Sequence, residues 1–339
     1  MITSYLGKLI RRESLTRQEA AVLLDALLGE SASEAEIAAV LTALAMKGET
    51  AEELVGFAET MRTHAVRIKA THDLVLDTAG TGGSRKKTFN VSTAAALVIA
   101  AAGIPVAKHG NRAVSSSTGS ADVLTALNVR IDLPADRVQR CLDELGFCFL
   151  FAPAHHRATA RVAQVRRRLG VRTVFNLLGP LTNPAGATRQ IVGVSDAASL
   201  SKVGQALSLL GVERAWVVHG EDGLDELTLS GQTHVVDVTN GETRQFEIAP
   251  EDCGVAAQDT SHLRASTPEE SAATIRGVLE GRRRDAARDL VLLNAAAGLV
   301  VAGGAGELRE GLVLAAETID SGRALAKVKA VIAVTNETS

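Results

Sequence analysis

The chain has 339 residues, with 36 basic and 39 acidic side chains, a net charge of −3 and only 3% aromatic residues. That length supports a large core and two domains. The balanced charge argues against the broad basic face of a general nucleic-acid binder, and the scarcity of aromatics against a stacking platform for single strands.

Residues 1–70 read as entirely helical. Ser33 with Glu36 and Thr50 with Glu53 have the spacing of capping boxes. Apolar residues recur at helical intervals through Ile37, Val40, Leu41 and Leu44, and Gly29 and Gly48 fit helix ends. At Leu74-Val-Leu-Asp77 the character changes. Short apolar runs then alternate with helical patterns: Ile104–Ala107, Phe147–Phe151, Ile191–Val194 and Ala215–His219. That alternation predicts a mostly parallel sheet flanked by helices. Residues 153–185 interrupt it with an Arg-rich helix (161–169) and Gly-Pro and Asn-Pro breaks. Beyond residue 265 helices dominate again, and 334–339 look frayed. The expected fold class is therefore α/β. A small all-helical domain (1–70, joined by part of 155–188) accompanies a large domain (74–154 and 189–335) with a central, mostly parallel sheet.

Cys141, Cys148 and Cys253 lack metal-like spacing and read as buried thiols of a reducing compartment. The N-terminus lacks the apolar core of a signal peptide, and runs such as Ala94–Ala102 are too short to span a bilayer. A cytoplasmic protein without a membrane partner is expected.

Three segments carry chemistry. Asp77-Thr-Ala-Gly-Thr-Gly-Gly-Ser84 and Lys108-His-Gly-Asn-Arg112, the latter followed by Ser115-Ser-Ser-Thr-Gly-Ser120, each lie between a strand-like and a helix-like run. Glycines admit close approach of backbone N–H groups, and a helix start favours anions. Either segment alone is also compatible with a tight turn or a solvated polar loop, and Ser92 or Thr93 with a plain N-cap. The third segment, Asp222-Gly-Leu-Asp225-Glu226, offers a carboxylate pair for a hard metal. Adjacent acids on a strand would point to opposite faces, so a loop is required. Arg166 lies in a Val-Arg-Arg-Arg-Leu run that reads either as a solvated helix face or as the source of a carboxylate clamp.

Four stretches together resemble the anthranilate phosphoribosyltransferase family over nearly the whole chain. They are Lys108-His-Gly-Asn-Arg-Ala-Val-Ser-Ser-Ser117, Gly119-Ser-Ala-Asp-Val-Leu124, Arg172-Thr-Val-Phe-Asn-Leu-Leu-Gly-Pro-Leu-Thr-Asn-Pro184 and His219-Gly-Glu-Asp-Gly-Leu-Asp-Glu226. The resemblance implies transfer of the 5-phosphoribosyl group from phosphoribosyl pyrophosphate (PRPP) to anthranilate in tryptophan biosynthesis. It also implies a fold shared with pyrimidine nucleoside phosphorylases and a homodimer formed through the small helical domain.

Carried onto this sequence, it gives PRPP to Gly80, Gly83, Ser84, Thr88, Asn90, Val91, Ser92 and Thr93, with Lys108, Asn111, Ser116 and Ser120. Ser92, Asp225 and Glu226 would hold Mg2+, as two ions with one carried on PRPP. Gly80, His109, Asn111, Arg166 and Pro180 would surround anthranilate, and Lys108, His109, Asn111 and Arg166 form the expected catalytic set. One position departs: the family's first loop usually reads Gly-Thr-Gly-Gly-Asp, and here Ser84 replaces the acid. A pyrimidine nucleoside phosphorylase and a non-catalytic PRPP- or anion-binding paralogue remain the alternative readings.

Overall fold

The computed structural model describes residues 1–84, 86–113 and 118–337. Helices α1 (Ile2–Ile10), α2 (Arg17–Leu28), α3 (Glu34–Lys47) and α4 (Ala51–His64) open the chain. Capping boxes start α2 (Thr16, Glu19), α3 (Ser33, Glu36) and α4 (Thr50, Glu53). In each, hydroxyl and carboxylate satisfy backbone N–H groups that the first helical turn leaves free. Glu53 does more. Its fully buried carboxylate also accepts from the Leu15 N–H at 2.9 Å and from Lys47 Nζ at 2.9 Å. One side chain thereby fastens the α1–α2 connection to α4.

The alternating region follows as β1 (Leu76–Gly80), α5 (Val91–Ala101), β2 (Val106–Gly110), α6 (Ser120–Ala126), α7 (Ala135–Leu145) and β3 (Phe147–Phe151). Helices α8 (Ala152–His155), α9 (Ala160–Leu169) and α10 (Val174–Leu181) form the interruption. Then come β4 (Arg189–Gly193), α11 (Leu200–Leu209), β5 (Arg214–Gly220), β6 (Thr233–Thr239) and β7 (Glu242–Ile248). The chain closes with α12 (Pro268–Leu279), α13 (Ala286–Val301), α14 (Leu308–Asp320) and α15 (Arg323–Asn336).

The seven strands lie in the order β3-β2-β1-β4-β5-β6-β7, parallel from β3 to β5 and antiparallel thereafter. The β6–β7 hairpin is an addition to the elements read from the sequence. Its signal was Asn240-Gly241, whose positive φ angles (50° and 89°) suit the two-residue turn joining Thr239 to Glu242. A second difference is at the C-terminus. Residues 334–336 complete α15 instead of fraying: Thr335 is buried, and Arg137 Nη2 donates to the Val334 carbonyl at 2.8 Å.

Alternation along each strand feeds two layers. Leu76, Val106, Trp216 and Val218 join α5, α6 and α12–α15 in one apolar core. Val192, Val217, Val236 and Val238 face the other way, into a core shared with α1–α4, α9, α10 and α11. A smaller cluster packs Ala107, Cys148 and Leu150 against α7. Because β1 pairs with both β2 and β4, the strand order reverses there, and such a switch point opens a crevice at the carboxyl ends of the strands.

Removing one member of a buried ion pair strands its partner, so Glu53→Ala should destabilise the fold by about 3–5 kcal/mol. The denaturant midpoint of the purified variant measures this, and a loss below about 1 kcal/mol would refute it.

Candidate active site

A cleft of about 560 Å³ lies at the carboxyl ends of β1, β2 and β4. Its lining includes Gly80, Gly83, Ser84, Thr88, Asn90, Ser92, Lys108, His109, Asn111, Ser120, Arg166, Asp225 and Glu226. Three segments far apart in sequence therefore meet in one place. Val91, Thr93 and Pro180 do not line it. Val91 and Thr93 are fully buried on the core side of the first turn of α5, and Pro180 sits within α10. Ser116 lies outside the described residues.

The first loop leaves β1 at Gly80 and turns through Gly82 and Gly83, both at positive φ (65° and 77°). A side chain at Gly83 would strike the Arg172 guanidinium, which reaches over from the α9–α10 connection to donate to the Gly82 carbonyl at 2.7 Å. Ser84 Oγ lies 2.8 Å from the carbonyls of both Lys86 and Gly223, and so ties this loop to the acidic turn. Lys86 reinforces the tie through Asp222 at 2.5 Å and Ser230 at 3.0 Å. Its charge is thus committed within the protein.

Lys108 and His109 prove to be strand residues, paired with Phe149 and Leu150 of β3. Alternation sends Lys108 inward, where it is only 2% exposed. Its ammonium donates to the Thr78 carbonyl, to Thr78 Oγ1 at 3.1 Å and to Ser92 Oγ at 3.3 Å. Burial lowers its pKa, while Asp77 and Glu226 pull it back up. On the opposite face Asp77 accepts from the His109 N–H at 3.0 Å and from Asn183 Nδ2 at 2.8 Å, and burial raises its carboxyl to about 6.

Asn90, not Ser92 or Thr93, occupies the N-cap of α5. The Ser92 N–H donates to Glu226 Oε1 at 3.1 Å, which brings the acid pair to the helix start. Asp225 lies against Gly80 and Gly193: a Cβ on Gly80 would sit 3.2 Å from Asp225 Oδ2, and one on Gly193 would collide with the Asp225 backbone. Both acids keep some surface toward the cleft yet lie deep enough for burial to raise their pKa values, Glu226 further through its neighbour Asp225. Ser92, Asp225 and Glu226 offer only oxygen donors, and a hard divalent cation would relieve the strain on this pair. Among the described residues there is no group of three or more His, Cys, Asp or Glu positioned to hold a metal. The remaining ligands would have to come from phosphate and water, the usual situation for magnesium.

The second loop is closed by Asp122, which accepts from the N–H groups of Ala113 at 2.8 Å and Gly119 at 3.1 Å and from Arg112 Nη1 at 3.0 Å. Asn111 stands exposed, its carbonyl accepting from the Ala121 N–H at 3.2 Å.

The remaining wall comes from the interrupting helices. The Arg166 guanidinium stacks 5.1 Å over the Phe175 ring and makes one long contact to Asn176 Oδ1 at 3.4 Å. Burial lowers its pKa to about 10, which leaves it charged at neutral pH. Two histidines share this wall: His109, whose Nδ1 is 2.9 Å from the Gly179 carbonyl, and His156, held by the Thr182 backbone carbonyl. Their rings are 5.1 Å apart. Burial lowers His109 to about 3 and His156 to about 4, the first also through His156 and the second through His155. Sequence reasoning missed His156, Arg172 and the Asp77–Asn183 pair. The adjacent His155-His156 following Pro153 was the available signal for the first.

A histidine with a depressed folded pKa binds fewer protons folded than unfolded, so its stability contribution is complete above about pH 6.5 and is lost as pH falls toward the folded value. For His156, with a folded value of about 4, the loss should reach roughly 2 kcal/mol by pH 5. Asp77 works in the opposite sense below pH 6, so the readout is the difference between wild type and His156→Gln. Denaturant midpoints at pH 7 and pH 5 should converge more closely in the variant, and parallel losses would refute the assignment.

Comparison with known proteins fits this geometry. Residues 3–65 match the family described as glycosyl transferase family, helical bundle domain, and residues 72–325 match glycosyl transferase family, a/b domain. The anthranilate phosphoribosyltransferase of Moorella thermoacetica is 48% identical over 98% of both chains. That of Pelotomaculum thermopropionicum is 48% identical over 100% of this chain and 98% of its own. The crystal structure of the Thermus thermophilus enzyme superposes with a TM-score of 0.92 at 43% identity, covering 98% of this chain and 99% of that one. The Saccharomyces cerevisiae enzyme in complex with PRPP and Mg gives a TM-score of 0.90 at 28% identity, covering 98% and 97%. The chain belongs to the anthranilate phosphoribosyltransferase family, enzymes that transfer the 5-phosphoribosyl group of PRPP to anthranilate in tryptophan biosynthesis.

Proposed function

We propose that this chain performs that transfer with magnesium, and that its residues divide the work as follows. Gly80, Gly83, Ser84, Thr88, Asn90 and Ser92 hold PRPP, with Val91 and Thr93 shaping the helix start behind them. Lys108, Asn111, Ser116 and Ser120 complete its binding. Ser92, Asp225 and Glu226 hold magnesium. Arg166 and Asn111 hold anthranilate beside Gly80 and His109, with Pro180 behind the wall. A homodimer formed through the small helical body, residues 1–70 with part of 155–188, belongs to the same reading; Ile10 and Met46 are exposed there, at 69% and 72%.

The observation that carries this reading is the pairing, in one cleft, of a deep oxygen-only acid pair with a charged Arg166 whose buried Nε has no partner among the described residues. The first suits a metal-bound pyrophosphate and the second a carboxylate. The yeast relative forms a complex with PRPP and Mg and another with 4-fluoroanthranilate, which supports the same two classes of ligand here.

When bound, magnesium supplies positive charge to the departing pyrophosphate oxygens. The chain's own part is positional. Lys108 places a fixed charge under the first loop and orients Ser92 Oγ. Backbone N–H groups of the loop meet phosphate oxygens without reorganisation. Arg166 fixes the acceptor through its carboxylate, so that the arylamine nitrogen, unprotonated at neutral pH, faces the anomeric carbon.

Loss of anthranilate fluorescence in the presence of PRPP and magnesium, abolished by chelator and matched by pyrophosphate release, is the direct test. Arg166→Ala should raise KM for anthranilate by about 10–100-fold while KM for PRPP stays within about twofold. Equal effects on both substrates would sink the Arg166 role.

A further inference from the structure

Three buried side-chain nitrogens of the cleft lining lack a hydrogen-bond partner among the described residues: Arg166 Nε, His109 Nε2 and His156 Nε2. The first is a donor and suits a carboxylate. The other two are acceptors: His109 donates its Nδ1–H to the Gly179 carbonyl, and because Nε2 of His156 has no partner among the described residues, the Thr182 carbonyl beside that ring assigns its N–H to Nδ1. Neither lone pair can satisfy the other, since each needs a donor. Both rings are more than nine-tenths buried, at 6% and 5% exposed. A buried acceptor without a donor destabilises a fold, so its persistence in a cleft marks a ligand that brings N–H groups.

We propose that His156, beside His109, is a catalytic residue whose Nε2 accepts an N–H of the acceptor amine and then takes the proton that the amine sheds. The inference rests on the phosphoribosyl-transfer reading above. An arylamine has two N–H donors and one nitrogen lone pair. Two acceptor nitrogens on one wall engage the donors and turn the lone pair away from that wall, toward the ribose.

As the N–C1 bond forms and the C1–O bond to pyrophosphate breaks, the nitrogen becomes cationic and its N–H groups become stronger donors. The contact to Nε2 is therefore stronger in the transition state than in the ground state, which is the condition for catalysis. One proton then moves from nitrogen to His156 Nε2 and onward to water or pyrophosphate, leaving the neutral secondary arylamine. The weak basicity that burial imposes on His156 is enough, because an N-alkylated arylammonium is itself a strong acid.

The test uses the purified full chain and benzoate, which keeps the carboxylate of anthranilate and lacks its amine. His156→Leu should lower kcat/KM for anthranilate by about 10–100-fold, with KM for PRPP and the inhibition constant of benzoate within about twofold. His156→Gln, whose amide oxygen accepts a hydrogen bond but takes no proton, should recover the anthranilate KM and not kcat. An unchanged kcat/KM in the leucine variant, or an equal loss of anthranilate and benzoate binding, overturns the proposal; full recovery of kcat by glutamine overturns its proton-transfer half. If wild type catalyses no transfer, the phosphoribosyl-transfer reading fails instead. The wild-type binding preference for anthranilate over benzoate, compared with that of the leucine variant, then still decides whether His156 reads the amine.

Discussion

The last turn of α10 is the fixed point of this molecule. A helix end leaves its final carbonyls without intrahelical partners, and here four consecutive ones are met by side chains from four separate parts of the chain. Gly179 accepts from His109 on β2, Pro180 from Gln190 on β4, Leu181 from Arg62 on α4, and Thr182 from His156 after β3. The next residue continues the pattern: Asn183 Nδ2 donates to Asp77 on β1 and to the Ala107 carbonyl on β2, both at 2.8 Å. A helix of eight residues is thereby joined to three neighbouring strands and to the helical bundle. The wall that carries Arg166 and the floor that carries the glycine-rich loop are held in register by these bonds. Each partner keeps a buried polar group satisfied, so loosening one leaves a donor or an acceptor stranded in low dielectric.

What the sequence made legible was local. Capping boxes, helical periodicity, the strand–helix alternation and the two glycine-rich turns all depend on residues a few positions apart, and all appear where expected. The acid pair was also legible, with the proviso that a turn must carry it, and a turn does. Pairings made over long separations were not. Nothing in Lys108-His-Gly announces that the lysine spends its three donors on Thr78 and Ser92. Nor does Asn183 announce Asp77, 106 residues away. The boundary errors have the same origin: β1 and β2 run on through Gly80 and Gly110 because neighbouring strands pair with those residues, whatever their own preference. Pro180, which the family resemblance sets beside the acceptor, lies within α10 and does not line the cleft.

Ser84, the departure from the family's usual acid, fits its surroundings on electrostatic grounds. Its hydroxyl donates toward the Gly223 carbonyl, at the turn that presents Asp225. An aspartate here would bring a third carboxylate toward a pair already pushed toward protonation by burial, and would oppose a carbonyl oxygen with another oxygen. Serine closes the first loop onto the acidic turn, and Lys86 with Asp222 holds the same closure from outside.

Unmet demand in a folded protein is informative because folding selects against it. This cleft carries two kinds. At the acidic turn two carboxyls are pushed toward protonation by burial, and on the proposed reading a hard cation carried with an anion would relieve them. On the α9–α10 wall, among the described residues, one buried donor nitrogen and two buried acceptor nitrogens have no partner. Lys108, by contrast, is fully engaged with Thr78 and Ser92, and holds a fixed charge at the base of the cleft. On the proposed reading a single planar molecule bearing a carboxylate and an amine would meet every deficit on that wall, and a metal-bound diphosphate would meet the other. On the proposed reading each substrate would stabilise the end of the cleft that receives it, and so couple occupancy of the site to the stability of the helix end on which the fold depends.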